Sequence, residues 1–501
     1  MQNGNSPKEI FEAYERGVAY NQSIGLYDTV RQNENFYLGE QWQGLNAPDL
    51  DKPVLNFIKR VCSYLSALLV SDDIAVELRP MAADDGVQRK AAVLERSVMQ
   101  VMEQSRMRAK LRELVRNCIV DGDGIFYWYF DPQADGGRGG IDVEVLENTK
   151  VLFANPYQAS LQRQPYVLVV RREQAERLKE RARQYGGDSE AIRAQSGDAA
   201  NSGYCCDELI TVVGKFYKQN GTVWYTEVCR DAVVRKPVCL GYDRYPLAMM
   251  RWDKVRGSYH GRAVITGLVP NQIAVNKLWA MAIRHQQSLA FPKVFYDRLK
   301  IRQWTNRVGE AIAVSGNPNE AVASGFRAGD MSAQLMELVE RTIRYTKEFM
   351  GASDAALGNV EPNNTSAIIA VQSATAAPLE LQRFALYQLV EDSVHIMLQL
   401  MRAHYGSRIG TDTEGRQLLC DYAQIEPAGL QLTVEVGPAA YWSQLTRLGT
   451  LDNLLEKGVL EDSLLYLQSV PDGYIPNKRA IVQSIEKRRK EAKELVHLPE
   501  M

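Results

Sequence analysis

The chain has 501 residues, of which 45% are hydrophobic and 24% charged, and its formal net charge is -2. This length allows several regions with their own buried cores, and the composition is that of an ordinary globular protein. The near-zero charge argues against a protein that coats nucleic acid by bulk electrostatics, but it leaves open a channel through which DNA passes. No uncharged apolar run is long enough for a membrane-spanning helix.

The cysteines give no clear metal site. There are seven, irregularly spaced, and an odd number is typical of reduced thiols rather than of a disulfide framework. Cys205 and Cys206, with Cys229 and Cys239 downstream, are the combination that suggests zinc. Neither a C-x-x-C pair nor a nearby set of histidines accompanies them. Buried reduced thiols are therefore the favoured interpretation, and we expect no metal and no cofactor.

The amino-terminal part of the chain alternates helical and extended patterns. Apolar residues recur at helical spacing over 7–38, 54–70 and 84–120. The strict alternation from Ile74 to Pro80 predicts a short strand.

A β-rich region follows the turn sequence Asp121-Gly122-Asp123-Gly124. We predict a β-meander that runs through strands 125–130, 141–146, 150–153 and 166–171. A basic helix is expected at 174–185, and further strands at 209–219, 223–230 and 232–236.

The pattern changes after Tyr259. Residues 261–290 and 331–350 are helical and bracket a short, breaker-rich insert at 291–327. A loop over 351–365 then leads into a long helical stretch, 366–405. The remaining segments are a strand at 430–436 and helices at 441–457, 461–467 and 477–495. The helix–insert–helix order is the most informative feature of the sequence.

Sequence motifs of catalysis are missing. There is no phosphate-binding G-x-x-x-x-G-K-[ST] loop, no G-x-S-x-G elbow and no H-E-x-x-H helix. Asp121, Asp123, Asp131 and Asp135 resemble a carboxylate cluster, but their neighbouring glycines fit turn chemistry better. We therefore predict no catalytic residues and favour a structural assembly over an enzyme.

Several strings, in this order, resemble the portal proteins of tailed bacteriophages. They are NFYLGEQW at 35–42, DGDGIFY at 121–127 followed by Asn155-Pro156, His260-Gly261-Arg262, and LVPNQIAVNK at 268–277. The resemblance covers nearly the whole chain, and it rests on the order and spacing of the strings together.

This resemblance implies an α+β, mainly α, portal-like fold. Its parts would be a wing at 1–258, stem helices at 259–290 and 329–350, a clip at 291–328, a tunnel loop at 351–365, a kinked wing helix and wing β region at 366–440, and a small helical crown at 441–501. Pro378 would kink the long wing helix, since proline cannot donate the helical hydrogen bond.

The resemblance also implies site residues. In the tunnel loop, Gly358, Asn359, Asn363, Asn364 and Thr365 would approach DNA without a charge that traps it. Stem charges that would face the channel or a neighbouring subunit are Lys277, Arg284, Arg341, Arg344 and Lys347. For any one of these cations, a solvated helix face is the alternative.

The implied assembly is a homo-oligomeric ring of about twelve copies at one capsid vertex, formed in the host cytoplasm and kept in the virion. Its partners would be double-stranded DNA, the terminase large subunit, capsid and scaffold proteins, and tail or adaptor proteins, with no membrane. Two alternatives stay open: another head-completion or tail protein, and a metal-dependent enzyme of nucleic acid with its site between Asp121 and Asp135.

Overall fold

A computed structural model gives the architecture. It describes residues 5–44, 46, 50–70, 74–80, 85–193, 209–290, 293–301, 303–305, 311–320, 323–326, 333–351, 377–411, 417–424, 430–436, 448–458, 463–470, 478, 481–482 and 484–485. The chain is a mixed α and β protein with more helix than strand, so the coarse prediction of an α+β, mainly α, fold is confirmed.

The described α-helices of seven or more residues are α1 Pro7–Ser23, α2 Leu26–Leu38, α3 Phe57–Leu69, α4 Asp85–Gln104, α5 Met107–Asp121, α6 Ala175–Gln184, α7 Val264–Ala290, α8 Ala333–Phe349, α9 Glu380–His404, α10 448–456 and α11 Ser463–Ser469. Helix α1 begins with a capping box, in which Ser6 and Glu9 satisfy each other's backbone N–H groups. Helix α5 ends at Asp121 and is capped by Gly122, whose left-handed backbone (φ 97°) favours glycine.

The described strands are β1 Ile74–Pro80, β2 Asp123–Asp131, β3 Gly140–Leu146, β4 Val151–Phe153, β5 Tyr166–Gln174, β6 Leu209–Gln219, β7 Thr222–Val228, β8 Val233–Cys239, β9 Leu247–Arg251, β10 Asp253–Lys254, β11 Gly261–Arg262, β12 Lys293–Tyr296, β13 Ala323–Phe326, β14 Ser407–Thr411, β15 Gln417–Asp421 and β16 Leu430–Val436.

The strands of the predicted meander fall into two sheets. One has the order β3-β2-β9 and the other the order β4-β5-β6-β7-β8. All their ladders are antiparallel. The described remainder forms two-stranded pairs, among them β1 with β16, which joins segments far apart in sequence. The meander is thus divided after β3, where the chain leaves the first sheet.

Helix α9 lies in the largest apolar core. Its side chains at Leu386, Val390, Val394 and Met397 are fully buried, and they belong to one cluster with residues from α3, α4, α5 and the three-stranded sheet. A second cluster lies between the two larger sheets and contains Phe216. The first turns of α7 also contribute buried residues to the largest cluster. This packing holds the base of the hairpin that α7 forms with α8 against the rest of the described chain, which we call the body.

Candidate assembly site on a helical hairpin

Helices α7 and α8 form an antiparallel hairpin. Asn271 Nδ2 donates to Thr346 Oγ1 over 3.0 Å near the base, and Lys293 pairs with Phe326 in the β12–β13 ladder at the far end. Met336 lines a cavity with Trp279 on the stretch between these points. A helix of 27 residues such as α7 is about 40 Å long. The predicted helix–insert–helix order therefore corresponds to this hairpin, which we call the arm. The β12–β13 ladder forms its tip.

A polar chain fixes the root of the arm to the body. Gln272 Nε2 donates to Asn276 Oδ1 over 2.9 Å, and Asn276 Nδ2 donates to Gln41 Oε1 over 2.6 Å. Gln272 Nε2 also donates to the carbonyl of Leu55. All three polar side chains are buried. Because buried amides must be hydrogen-bonded, this chain holds α7 in one register against the loop around Gln41.

Asp123 anchors the segment that leads into α7. Its carboxylate accepts from His260 Nδ1 at 2.7 Å and from the backbone N–H of Gly261 at 2.7 Å, and its side chain is fully buried. His260 Nε2 lies 3.1 Å from Asn21 Oδ1 at the end of α1. Asn148 Nδ2 donates to Asp121 O over 3.0 Å. The cluster thus joins α1, β2 and the start of the arm.

Close backbone packing accompanies this anchor. A Cβ on Gly122 would lie 2.5 Å from the carbonyl oxygen of Gly261, and a Cβ on Gly261 would lie 2.6 Å from that of Gly122. Glycine at both positions is therefore required, because a side chain on either one would separate β2 from β11.

Asp121 lies beside the anchor without a hydrogen bond to its buried Oδ1 atom. Burial raises the pKa of this carboxyl to about 7, against the lowering effect of Arg116, and Glu34 and Glu147 raise it further. The neutral acid is thus favoured in the folded protein over most of the acidic range.

The aspartate run does not form one site. Asp121 ends α5 and Asp123 begins β2, whereas Asp131 ends that strand and accepts a hydrogen bond from the backbone N–H of Gln133. Asp135 lies in the turn beyond it, with φ 52°. No group of three or more His, Cys, Asp or Glu side chains in the described part of the chain could hold a metal ion. The spacing of these aspartates gives no support for a metal-dependent nuclease site.

Helix α8 carries a second apolar face that the described residues leave exposed. Val339 and Thr346 are buried toward α7. Leu338, Tyr345 and Phe349 are 51%, 46% and 83% exposed. The spacing of seven and then four residues places these three on one side of the helix. We call them the α8 stripe.

The charged residues predicted on the arm lie on its surface. Lys277 and Arg284 are exposed on α7, and Lys347 is half-buried on α8. Arg341 pairs with Glu337 and Arg344 Nε lies 3.9 Å from Glu348, both one helical turn apart. Such exposed pairs contribute little to stability. Which cations face a channel or a neighbour stays a prediction.

The tip of the arm exposes further large apolar side chains. Phe295 and Leu299 are 65% and 88% exposed. Tyr296 stacks on Trp304 at a centroid distance of 5.7 Å. The tip is thus a second surface at which the described residues leave aromatic and aliphatic groups in contact with solvent.

The predicted tunnel loop lies outside the described residues, so the positions assigned to Gly358, Asn359, Asn363, Asn364 and Thr365 stay predictions. Pro378 lies in the 3-10 turn Ala377–Leu379, directly before α9. The segment that precedes this turn, 366–376, is also outside the described part. The kink at Pro378 within a longer helix therefore stays a prediction.

Two functional features were missed by the sequence reasoning. The α8 stripe has a partial signal in the sequence, because Leu338, Tyr345 and Phe349 recur at helical spacing, but the sequence does not show that this side is left uncovered. The contact of Asp123 with His260 has none, because the two residues are 137 positions apart.

None of the described helices has both the length and the apolar character that crossing a bilayer requires. Comparison of the chain with protein-family models and with curated proteins finds no match.

Proposed function

We propose that this chain is the subunit of a portal ring, the channel at one capsid vertex through which a tailed bacteriophage packages and ejects its DNA. The ring would hold about twelve copies related by cyclic symmetry. The strings that resemble portal proteins support this choice of assembly. The geometry of the arm supports the formation of a ring by identical subunits.

The observation that carries the proposal is the α8 stripe. Leu338, Tyr345 and Phe349 are regularly spaced on a helix that already buries another face against α7. Single exposed apolar residues are common, but an ordered row of them on one helix face is typical of a surface that contacts another protein. Each subunit of a ring would cover this row.

The anchor at the base of the arm supports the same proposal. Asp123 ties the start of the arm to β2 through two hydrogen bonds, and the amide chain around Gln272 fixes its root. An arm held in this way keeps one angle to the body in every copy. Constant geometry gives every contact between neighbouring copies the same rotation, and a ring forms when that rotation closes after a whole number of copies.

In this proposal the ring is a passive conduit. The arms line the channel, where scattered cations such as Lys277 make weak, salt-dependent contacts with phosphates. The exposed tip around Phe295 is the clip, which docks the terminase large subunit during packaging and tail or adaptor proteins afterwards. The body contacts capsid and scaffold proteins, and the packaging motor is a separate protein.

The molar mass of the purified protein in solution tests the proposal. With a subunit mass of 56.4 kDa, about twelve copies give roughly 680 kDa. Light scattering over a range of protein and salt concentrations is expected to find one closed species near this mass. Monomers or dimers under all these conditions would contradict the proposal.

A pair of variants sharpens this test. Leu338→Glu places a charge within the α8 stripe, and it is expected to shift the mass to the monomer because a buried unpaired charge is costly. Glu340→Gln, on the opposite side of the same helix, is the matched control and is expected to keep the large species.

A further inference from the structure

Strand β9 leaves one edge of the three-stranded sheet open. The sheet has the order β3-β2-β9, so no further strand of the described chain lies beyond β9. Pro246 O accepts from the backbone N–H of Trp128 over 2.9 Å, and the N–H of Trp252 donates to Gly122 O over 3.0 Å. Residues alternate between the two edges of an antiparallel strand, so the even-numbered residues here turn their backbone toward β2. The odd-numbered residues turn theirs outward.

A glutamine side chain covers the first part of this outward edge. Gln162 Oε1 accepts from the backbone N–H of Tyr245 over 2.8 Å, and Gln162 Nε2 donates to Tyr245 O over 3.0 Å. The same Nε2 atom lies 3.4 Å from Leu247 O. Met249 and Arg251 follow on this edge, and their outward N–H and C=O groups have no such partner among the described residues. This part of β9 can therefore pair with an additional strand.

The open edge lies in a groove between two walls. A cavity of about 950 Å³ is lined by β9, by the first turns of α9 and by residues 158–162. Met250 belongs to the apolar cluster that contains α9, whereas Leu247 and Leu161 belong to the cluster between the two larger sheets. The wall made by α9 and the wall made by 158–162 thus stand on opposite faces of the strand. Grooves with a strand edge between two walls suit extended peptides, because the edge supplies main-chain hydrogen bonds and the walls contact side chains.

The α9 wall offers apolar side chains and one unused acceptor. Leu381 and Phe384 are 77% and 60% exposed, and their spacing of three residues places them on one side of the helix. Gln382 is buried and lines the same cavity, where its Nε2 donates to Asp253 Oδ1 over 3.3 Å. Its buried Oε1 atom has no hydrogen-bond partner among the described residues. A buried amide oxygen of this kind indicates that a donor from another molecule completes the site.

The opposite side of the groove carries two half-buried cations. Lys218 and Arg251 line the cavity, and neither forms an ion pair with a described residue. Burial lowers the pKa of both groups, which shows how incompletely they are compensated. Arg244 is already paired with Asp392 over 3.4 Å. The remaining charged residues of the lining are exposed, namely Asp243, Asp253 and Lys254. A carboxylate brought by a ligand would compensate the half-buried pair.

We infer that the open edge of β9 binds an extended segment of a partner protein, which adds a fourth strand to this sheet. Main-chain groups of the segment pair with those of Met249 and Arg251. Side chains of a strand alternate between its two faces, so apolar side chains on one face contact Leu381 and Phe384. Acidic side chains on the other face reach the half-buried cations. The inference goes beyond the proposed ring and does not depend on it.

Hydrogen–deuterium exchange with single-residue fragmentation tests this binding on the purified protein. The probe is a synthetic hexapeptide of alternating valine and glutamate with blocked ends, added at about 1 mM. Without peptide, we expect the amides of Met249 and Arg251 to exchange at least about tenfold faster than those of Ala248 and Met250, which face β2. With peptide, exchange at Met249 and Arg251 should slow by at least about tenfold, because these amides become hydrogen-bonded.

Matched controls separate strand addition from general association. A hexapeptide N-methylated at alternate residues lacks the required donors, and one with lysine in place of glutamate has the wrong charge, so neither should slow exchange. Leu381→Glu places a charge on the apolar wall and is expected to abolish the effect of the probe. Leu419→Glu is the matched variant, because Leu419 is 75% exposed on β15, outside the groove, and it should leave the effect unchanged.

The outcomes decide the inference without deciding the ring. Slow exchange at Met249 and Arg251 before peptide is added would overturn it, because the edge would already be covered by a second copy or by another part of this chain. Exchange that the valine–glutamate peptide does not slow, or that the N-methylated or lysine peptide slows equally, would also overturn it. Slowing that is lost with Leu381→Glu and kept with Leu419→Glu supports it. The molar mass of the protein tests the ring separately.

Discussion

Replacing Asp123 with asparagine tests the anchor at the base of the arm. The Asp123 carboxylate accepts two short hydrogen bonds, from His260 Nδ1 and from the Gly261 backbone, and it has no solvent exposure. Asparagine keeps the shape and one acceptor oxygen but removes the charge, and its amide group then faces the imidazole. A hydrogen bond to a charged group contributes about 1.5–3 kcal/mol, and the carboxylate accepts two of them. We expect Asp123→Asn to lower the free energy of unfolding by about 3 kcal/mol.

Urea denaturation followed by tryptophan fluorescence measures this loss, because Trp128 and Trp252 are buried close to the anchor in sequence and report on its environment. Asp131→Asn is the matched control, since Asp131 lies at the other end of β2 and asparagine can keep its turn contact with Gln133. Both variants are measured at one protein concentration, because assembly shifts apparent stability. A loss for Asp123→Asn within about 0.5 kcal/mol of the control would refute the anchor.

Three further predictions follow from single sites. The pKa of Asp121 is about 7 in the folded protein and about 4 unfolded, so its contribution to stability is fully present below pH 4 and is lost as the pH rises toward 7. The free energy of unfolding of Asp121→Asn should therefore exceed that of the parent by up to about 4 kcal/mol at pH 8 and should show no gain at pH 4. Denaturation curves of both proteins at the two pH values measure this difference. Gly122→Ala should lower the free energy of unfolding by more than about 2 kcal/mol, and Gly136→Ala by about 1 kcal/mol. The reason is that a Cβ at Gly122 meets backbone atoms, whereas a Cβ at Gly136 meets open space. Melting curves of the two variants test this difference. Burial raises the pKa of Cys62 to about 12, so a maleimide at pH 7 followed by peptide mass spectrometry should modify the exposed Cys239 and leave Cys62 free.

Local patterns predicted most of the elements. The alternation from Ile74 to Pro80 is a strand with those bounds, and Leu209–Gln219 is another. The helical region 84–120 was harder, because it is divided at Arg106, which adopts a left-handed backbone (φ 52°). No glycine or proline marks this break, so the periodicity across it resembles one continuous region.

Long-range pairing was not predictable from the pattern of single segments. Gly261 and Arg262 were predicted as the start of a helix, but they pair with Asp253 and Lys254 in a short ladder. The strand Leu247–Arg251 was not predicted, and it completes the three-stranded sheet beside β2. Both features depend on partners elsewhere in the chain, and their own residues have little intrinsic preference.

The arm shows the same division between local and distant information. Its helix–insert–helix order followed from periodicity, and the structure gives the two helices as Val264–Ala290 and Ala333–Phe349. The faces of these helices could not be assigned without knowing which side α7 covers on α8. Once that side is known, Leu338 and Tyr345 become a surface without a partner in the described chain.

Electron microscopy of the purified protein tests the central claim most directly. The account predicts closed rings of about twelve subunits with a central opening, in which the arms surround the channel and their tips project at one end. Single compact particles without an opening, or open filaments of variable length, would contradict it.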